Sequence, residues 1–108
     1  MKADWRVTVA KRDLVAAVGH ARTRATLRRK GAGFEPDLTL ADSDGQLSVR
    51  SSYAAMDIPA EGSWASPIFA NGAALRRLAP KLKGPDVTLT YVTGRLFLDG
   101  TSIPAREA

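Results

Sequence analysis

A chain of 108 residues, 44% hydrophobic and 25% charged, has material for one small domain; at 11.5 kDa, area scaling buries about two-thirds of the extended surface, enough for a single core. The absence of cysteine excludes disulfides, thiolate nucleophiles and cysteine-ligated zinc, and with no apolar run near about 18 residues and no apolar leader after Met1 the expectation is a soluble, cytoplasmic protein. The net charge of +5 is held unevenly: residues 11–30 carry seven basic side chains against Asp13 alone and contribute +6, a local field that favours a polyanionic partner.

In chain order, Trp5-Arg6-Val7-Thr8-Val9 alternates large apolar with polar residues, the period of a strand with one buried face. From Lys11 to about Arg22, the 3 and 4 spacing of Leu14, Val15, Val18 and Ala21 predicts a helix. Gly19 inside it costs about 1 kcal/mol relative to alanine and points to close packing or an early end. Thr23 to Glu35 has no apolar period and contains Arg28-Arg29-Lys30, which reads as an exposed basic loop. Strands at 37–42 and 46–52 flank Ser43-Asp44-Gly45, whose Asp-Gly supplies the positive φ of a tight hairpin. A further strand over Tyr53 to Ile58 ends at Pro59.

Beyond Glu61-Gly62-Ser63, a short strand at about Ser66 to Ala70 leads to Asn71, a favourable N-cap, and then to a helix turning Leu75, Leu78 and Leu82 inward. Pro80 should stop or kink it, because a helix-interior proline removes a backbone hydrogen bond. A hairpin over 85–98 and a last strand, Thr101 to Ala105, complete the chain.

The second hairpin repeats the first. Pro36-Asp37-Leu38-Thr39-Leu40 and Gly45-Gln46-Leu47-Ser48-Val49 recur 49 residues later as Pro85-Asp86-Val87-Thr88-Leu89 and Gly94-Arg95-Leu96-Phe97-Leu98. Each copy leads to Ile-Pro-Ala, at 58–60 and 103–105. The expectation is one α+β domain over residues 1–108, made of two tandem βαβββ half-units (about 4–60 and 61–106), with two helices on one face of antiparallel sheets sharing one core.

A duplicated βαβββ unit with Asp13-Leu14-Val15-Ala16-Ala17-Val18 in its first helix, Leu40-Ala41-Asp42-Ser43-Asp44-Gly45-Gln46-Leu47-Ser48-Val49 in its first hairpin, and Glu61-Gly62-Ser63 leading to Ala70-Asn71-Gly72-Ala73-Ala74-Leu75-Arg76-Arg77-Leu78 resembles one domain of the DNA sliding clamps, with the bacterial polymerase III β-subunit as its nearest member. The resemblance runs from Trp5 to Ala105 and rests on aliphatic patterns, without a catalytic signature. It implies helices facing DNA inside a ring, strands forming the outer wall, and replication or repair proteins as partners. A bacterial clamp subunit has three such domains and this chain has one, so a six-domain ring would take six copies. The chain ends at Arg106-Glu107-Ala108 rather than in the family's apolar-basic ending, and no partner pocket is carried over.

The expected DNA contacts are Lys11, Arg12, Arg22, Arg24, Arg28, Arg29, Lys30, Arg76, Arg77, Lys81 and Lys83, meeting phosphates of the double helix without reading bases. The plain alternative for the same residues is a solvated surface. Trp5 and Trp64 read as core or core-edge residues, and His20, the one histidine, has no second ligand at metal-binding spacing. The aspartates at turns form no acid/base pair, so neither enzymatic activity nor a cofactor is expected. The reading is a non-enzymatic DNA-associated factor that self-associates through the edge strands 53–58 and 101–105; the alternative is a clamp-fold protein-interaction adaptor that does not encircle DNA.

Overall fold

The computed structural model of the chain describes residues 5–28, 37–51 and 54–107. Strand β1 (Trp5–Ala10) leads directly into helix α1 (Lys11–Arg28), followed by β2 (Asp37–Asp42), β3 (Gln46–Arg50), β4 (Ala55–Pro59), β5 (Glu61–Trp64) and β6 (Ile68–Asn71). Helix α2 (Gly72–Leu78) continues as a 3₁₀ turn over Ala79–Lys81, and β7 (Asp86–Val92), β8 (Arg95–Leu98) and β9 (Thr101–Glu107) complete the order. The strands form one antiparallel sheet, β4-β3-β2-β6-β9-β8-β7-β1-β5, and the helices pack against one another across its buried face, which gives the α+β class expected.

The local signals account for most of these elements. Asp44 and Gly45 have φ values of 54° and 86°, and Ser43 and Gln46 exchange backbone hydrogen bonds of 2.8 and 3.1 Å across the turn they make. Asn71 caps α2, its Oδ1 accepting from the Ala74 N–H at 2.8 Å. The α-helix stops at Leu78, two residues before Pro80, as the missing donor requires.

The two hairpins share one register. Leu40 pairs with Val49 as Leu89 pairs with Leu98, and Leu38, Leu40, Leu47, Val49, Val87, Leu89, Leu96 and Leu98 are all buried. Each hairpin is extended by the strand preceding the opposite helix: β6 lies on β2, with Leu40 opposite Ile68, and β1 lies on β7, with Val7 opposite Leu89.

Four readings need correction. Helix α1 runs on to Arg28 through a stretch expected to be loop, since Arg22, Arg24, Ala25, Leu27 and Arg28 are good helix formers. Gly19 neither ends this helix nor marks close packing, because a Cβ built there meets nothing within 4 Å. On the helices, Leu14, Ala17 and Val18 of α1 and Leu75 of α2 are buried, Ala79 and Leu82 follow, and Val15 and Leu78 sit only at the margin, while the side chain of Ala21 lies outside the described residues; Ala79, whose N–H still bonds the Leu75 carbonyl in the α-helical pattern, lies one turn beyond Leu75 and takes the place assigned to Leu78.

The fourth concerns Glu61-Gly62-Ser63-Trp64, which is a strand and not a connection. It pairs with β1, and Gly62 permits this: its φ is +124°, and a Cβ there would lie 2.2 Å from the Arg6 carbonyl oxygen. Strands β4 and β5, the two ends of the sheet, are separated only by Ala60, so the chain itself links the sheet's ends.

Strand β9 makes the same passage without a break. Thr101–Pro104 pair with β8, and 105–107 pair with β6. The expectation that 53–58 and 101–105 are the two sheet edges is therefore met by β4 and corrected for 101–105, because β9 changes partners along its length and so lies inside the sheet. The terminal strands are β4 and β5, and Tyr53 lies outside the described residues, while β9 sits between β8 and β6 with its first half laddered on one side only. Because the Ser51 N–H donates to the Ala54 carbonyl at 2.8 Å and that of Ala105 to Gly94 at 3.0 Å, ladder alternation turns the backbone of Ala55, Asp57 and Pro59 and of Ser102 and Pro104 away from β3 and β8.

Candidate nucleic-acid interface

The start of α1 is tied to the segment that follows the 3₁₀ turn. The Lys11 N–H donates to the Pro85 carbonyl at 2.7 Å, and its Nζ reaches the Leu82 carbonyl at 2.9 Å. That second bond satisfies a backbone acceptor just past a helix end, where carbonyls lack intrahelical partners. It also sets the ammonium of Lys11 between the chain positions of Lys81 and Lys83, both exposed, with exposed Arg12 lining the same shallow groove as Gly84, Pro85 and Asp86. Two pairs of cations, Lys11 with Arg12 and Lys81 with Lys83, are thus brought to one end of the helical layer from either side of a long stretch of chain, with Asp86 as the carboxylate in that groove.

Arg76 and Arg77 do not belong to one patch. Successive helical residues point about 100° apart. Arg76 lines the groove between α1 and the 3₁₀ turn with Val15, Val18, Gly19, Ala79 and Pro80, whereas exposed Arg77 opens onto Asp37, Phe69, Asn71 and Arg106. The side chains of Arg22, Arg24 and Arg28 lie outside the described residues, as do Arg29 and Lys30 altogether; the first three are placed on α1 by its backbone.

Arg106 was not singled out by the sequence. Its Nη1 donates to Asp37 Oδ2 at 2.9 Å and its guanidinium sits 4.9 Å from the Phe69 ring centroid. Arg106 is 67% exposed, so the ion pair contributes at most about 1 kcal/mol. The available signal was the repeated Ile-Pro-Ala, followed once by Glu61 and once by Arg106.

The tryptophans are structural. Trp64 is buried, and Trp5 packs edge-on against Tyr91 with ring centroids 5.2 Å apart while its indole N–H donates to the Ser66 carbonyl at 2.9 Å. Among the described residues, no three His, Cys, Asp or Glu side chains gather in a metal-binding cluster, and no helix is long and apolar enough to cross a membrane.

No protein-family model matches the sequence, and no curated protein matches it. Solved structures do match its fold. A DNA polymerase sliding clamp from Caulobacter crescentus superposes with a TM-score of 0.74 at 18% identity, over 96% of this chain and 31% of that one. A DnaN sliding clamp, the DNA polymerase III subunit beta of Bartonella birtlesii solved with griselimycin, gives 0.69 at 13% identity, over 97% of this chain and 30% of that one. The chain therefore has a sliding-clamp domain fold and spans about a third of the length of each of these clamps.

Proposed function

We propose, from the premise that this chain carries the fold of a sliding-clamp domain, that it is a non-enzymatic, clamp-like DNA-associated factor whose helical layer meets the duplex backbone without reading sequence. The observation that carries this reading is the pair of hydrogen bonds from Lys11 to Leu82 and Pro85, which gathers Lys11, Arg12, Lys81 and Lys83 at one end of that layer. Cations gathered on one surface neutralise phosphates, and phosphate contacts position a protein without specifying bases. Arg22, Arg24, Arg28, Arg29 and Lys30 would prolong the field along and beyond α1, with Arg76 and Arg77 adding charge from α2.

The same reading takes the two halves, about 4–60 and 61–106, as one duplicated unit, supported by the common register of the hairpins. It has several copies joining through the outward backbone of β4 and of Thr101–Pro104, as partly unpaired strands invite. Replication or repair proteins would be further partners.

The test is fluorescence anisotropy with two unrelated duplexes at low salt. The wild type should bind both alike and weaken steeply as salt rises, and Lys81→Glu with Lys83→Glu should weaken both alike. Selective loss on one sequence would indicate base readout, and no binding by the wild type even at low salt would leave the adaptor reading.

A further inference from the structure

Asp37 and Asp86 are equivalent in the repeat, 49 residues apart, yet only one of them is neutralised. Their registers match: Asp37 pairs with Asn71 just before α2, and Asp86 with Ala10 just before α1. The Asp37 carboxylate accepts from Arg106 Nη1 at 2.9 Å. The residue equivalent to Arg106 is Glu61, since Arg106 pairs with Phe69, opposite Thr39, as Glu61 pairs with Thr8, opposite Thr88. Asp86 therefore shares its hollow with a second carboxylate where its counterpart has a guanidinium, and among the described residues it has no ion pair.

Asp86 also stands between fields of opposite sign. On one side is the groove it shares with Lys11 and Arg12, close in the chain to Lys81 and Lys83; on the other is a hollow with Asp13 and Glu61 and no lysine or arginine. An unpaired carboxylate bordering a cationic groove opposes an approaching phosphate. Because Asp86 is exposed it acts through water, where two unit charges near 4 Å are worth about a fivefold change in affinity, and salt screens them. We infer that Asp86 is the boundary of the phosphate contact: it holds the duplex to the side of Arg12, Lys81 and Lys83 and keeps the contact weak, so that phosphates exchange readily across the surface. This rests on the proposed meeting of the helical layer with DNA, and adds a residue that acts against binding. Asp37 has no such role, because Arg106 already balances it.

The experiment measures anisotropy of two unrelated duplexes across a salt series, with Asp86 silenced in two ways. Asp86→Asn removes its charge, and Glu61→Arg supplies the partner that Arg106 gives to Asp37. Each should tighten binding of both duplexes by about fivefold or more at low salt, the gain shrinking as salt rises. Since Glu61→Arg acts partly through Asp86, it should add less in the Asp86→Asn chain than in the wild type. Asp57→Asn changes the net charge as Asp86→Asn does, but Asp57 lies on β4 and lines neither hollow, so affinity should stay as it is. Asp57, Glu61 and Asp86 are all exposed, and unchanged circular dichroism shows that each variant folds. Should the wild type bind and Asp86→Asn bind no more tightly, the boundary is wrong and the DNA reading stands. An equal gain in Asp57→Asn overturns the boundary as well, because the effect is then one of net charge. Binding by neither the wild type nor Asp86→Asn at low salt overturns the DNA reading and the boundary together.

Discussion

The indole N–H of Trp64 donates to the backbone carbonyl of Leu40 at 3.0 Å within the core. Trp64 lies on β5, at one end of the sheet, and Leu40 on β2, in the opposite limb between β3 and β6. One side chain thus ties the two limbs across the interior, using the single polar group of a residue that otherwise contributes apolar area.

Trp64→Phe keeps an aromatic ring there and removes the donor. Losing a buried hydrogen-bond partner costs about 1–3 kcal/mol, and urea denaturation should show a loss in that range. Trp5→Phe, whose bond to the Ser66 carbonyl is only partly buried, should cost less. Equal losses would mean that the bond across the core has no special weight.

Leu75 and Leu78 separate the two possible faces of α2. Leu75 has no exposed surface and Leu78 is half-buried, so Leu75→Ala should cost about 2–5 kcal/mol and Leu78→Ala clearly less. The reverse order in chemical denaturation would show that Leu78, rather than Leu75, faces the core.

Two glycines should respond with opposite signs. Gly19→Ala fills open space inside a helix and should stabilise by up to about 1 kcal/mol. Gly62→Ala introduces a Cβ 2.2 Å from the Arg6 carbonyl oxygen at positive φ, and should destabilise by about 1–3 kcal/mol or more as β5 is pushed from β1. Thermal melts of the two variants give the signs directly.

Salt dependence counts the phosphate contacts. Each contact contributes about 0.9 to the log-log slope of affinity against salt, so Lys81→Gln with Lys83→Gln should reduce the slope by about 2 if both meet DNA. An unchanged slope would assign these lysines to the solvated surface.

Assembly through the edges depends on outward backbone donors. Ala55→Pro and Ser102→Pro each remove one such N–H, where ladder alternation turns it away from the strand's own partner. Each should convert an assembly to monomer with unchanged circular dichroism; an oligomer surviving both would place the contact on another surface.

The sequence alone determined what depends on neighbours along the chain. Alternation put Leu38, Leu40, Leu47 and Val49 on a buried face, Asp44-Gly45 chose a tight turn, Asn71 supplied a cap and Pro80 ended a helix, all effects acting over a few residues. It also left basic side chains exposed without showing which of them meet. Tertiary structure decided the rest, because those choices rest on partners distant in sequence. Glu61-Gly62-Ser63-Trp64 has no apolar alternation and becomes a strand only because β1 accepts it and Gly62 lets the backbones approach. Lys11 joins Lys81 and Lys83 through carbonyls some seventy residues away. Arg106 comes to mirror Glu61 because β9 changes partners after Pro104, as the chain does at Ala60, and pairing between distant strands, unlike periodicity, leaves no mark in either strand by itself.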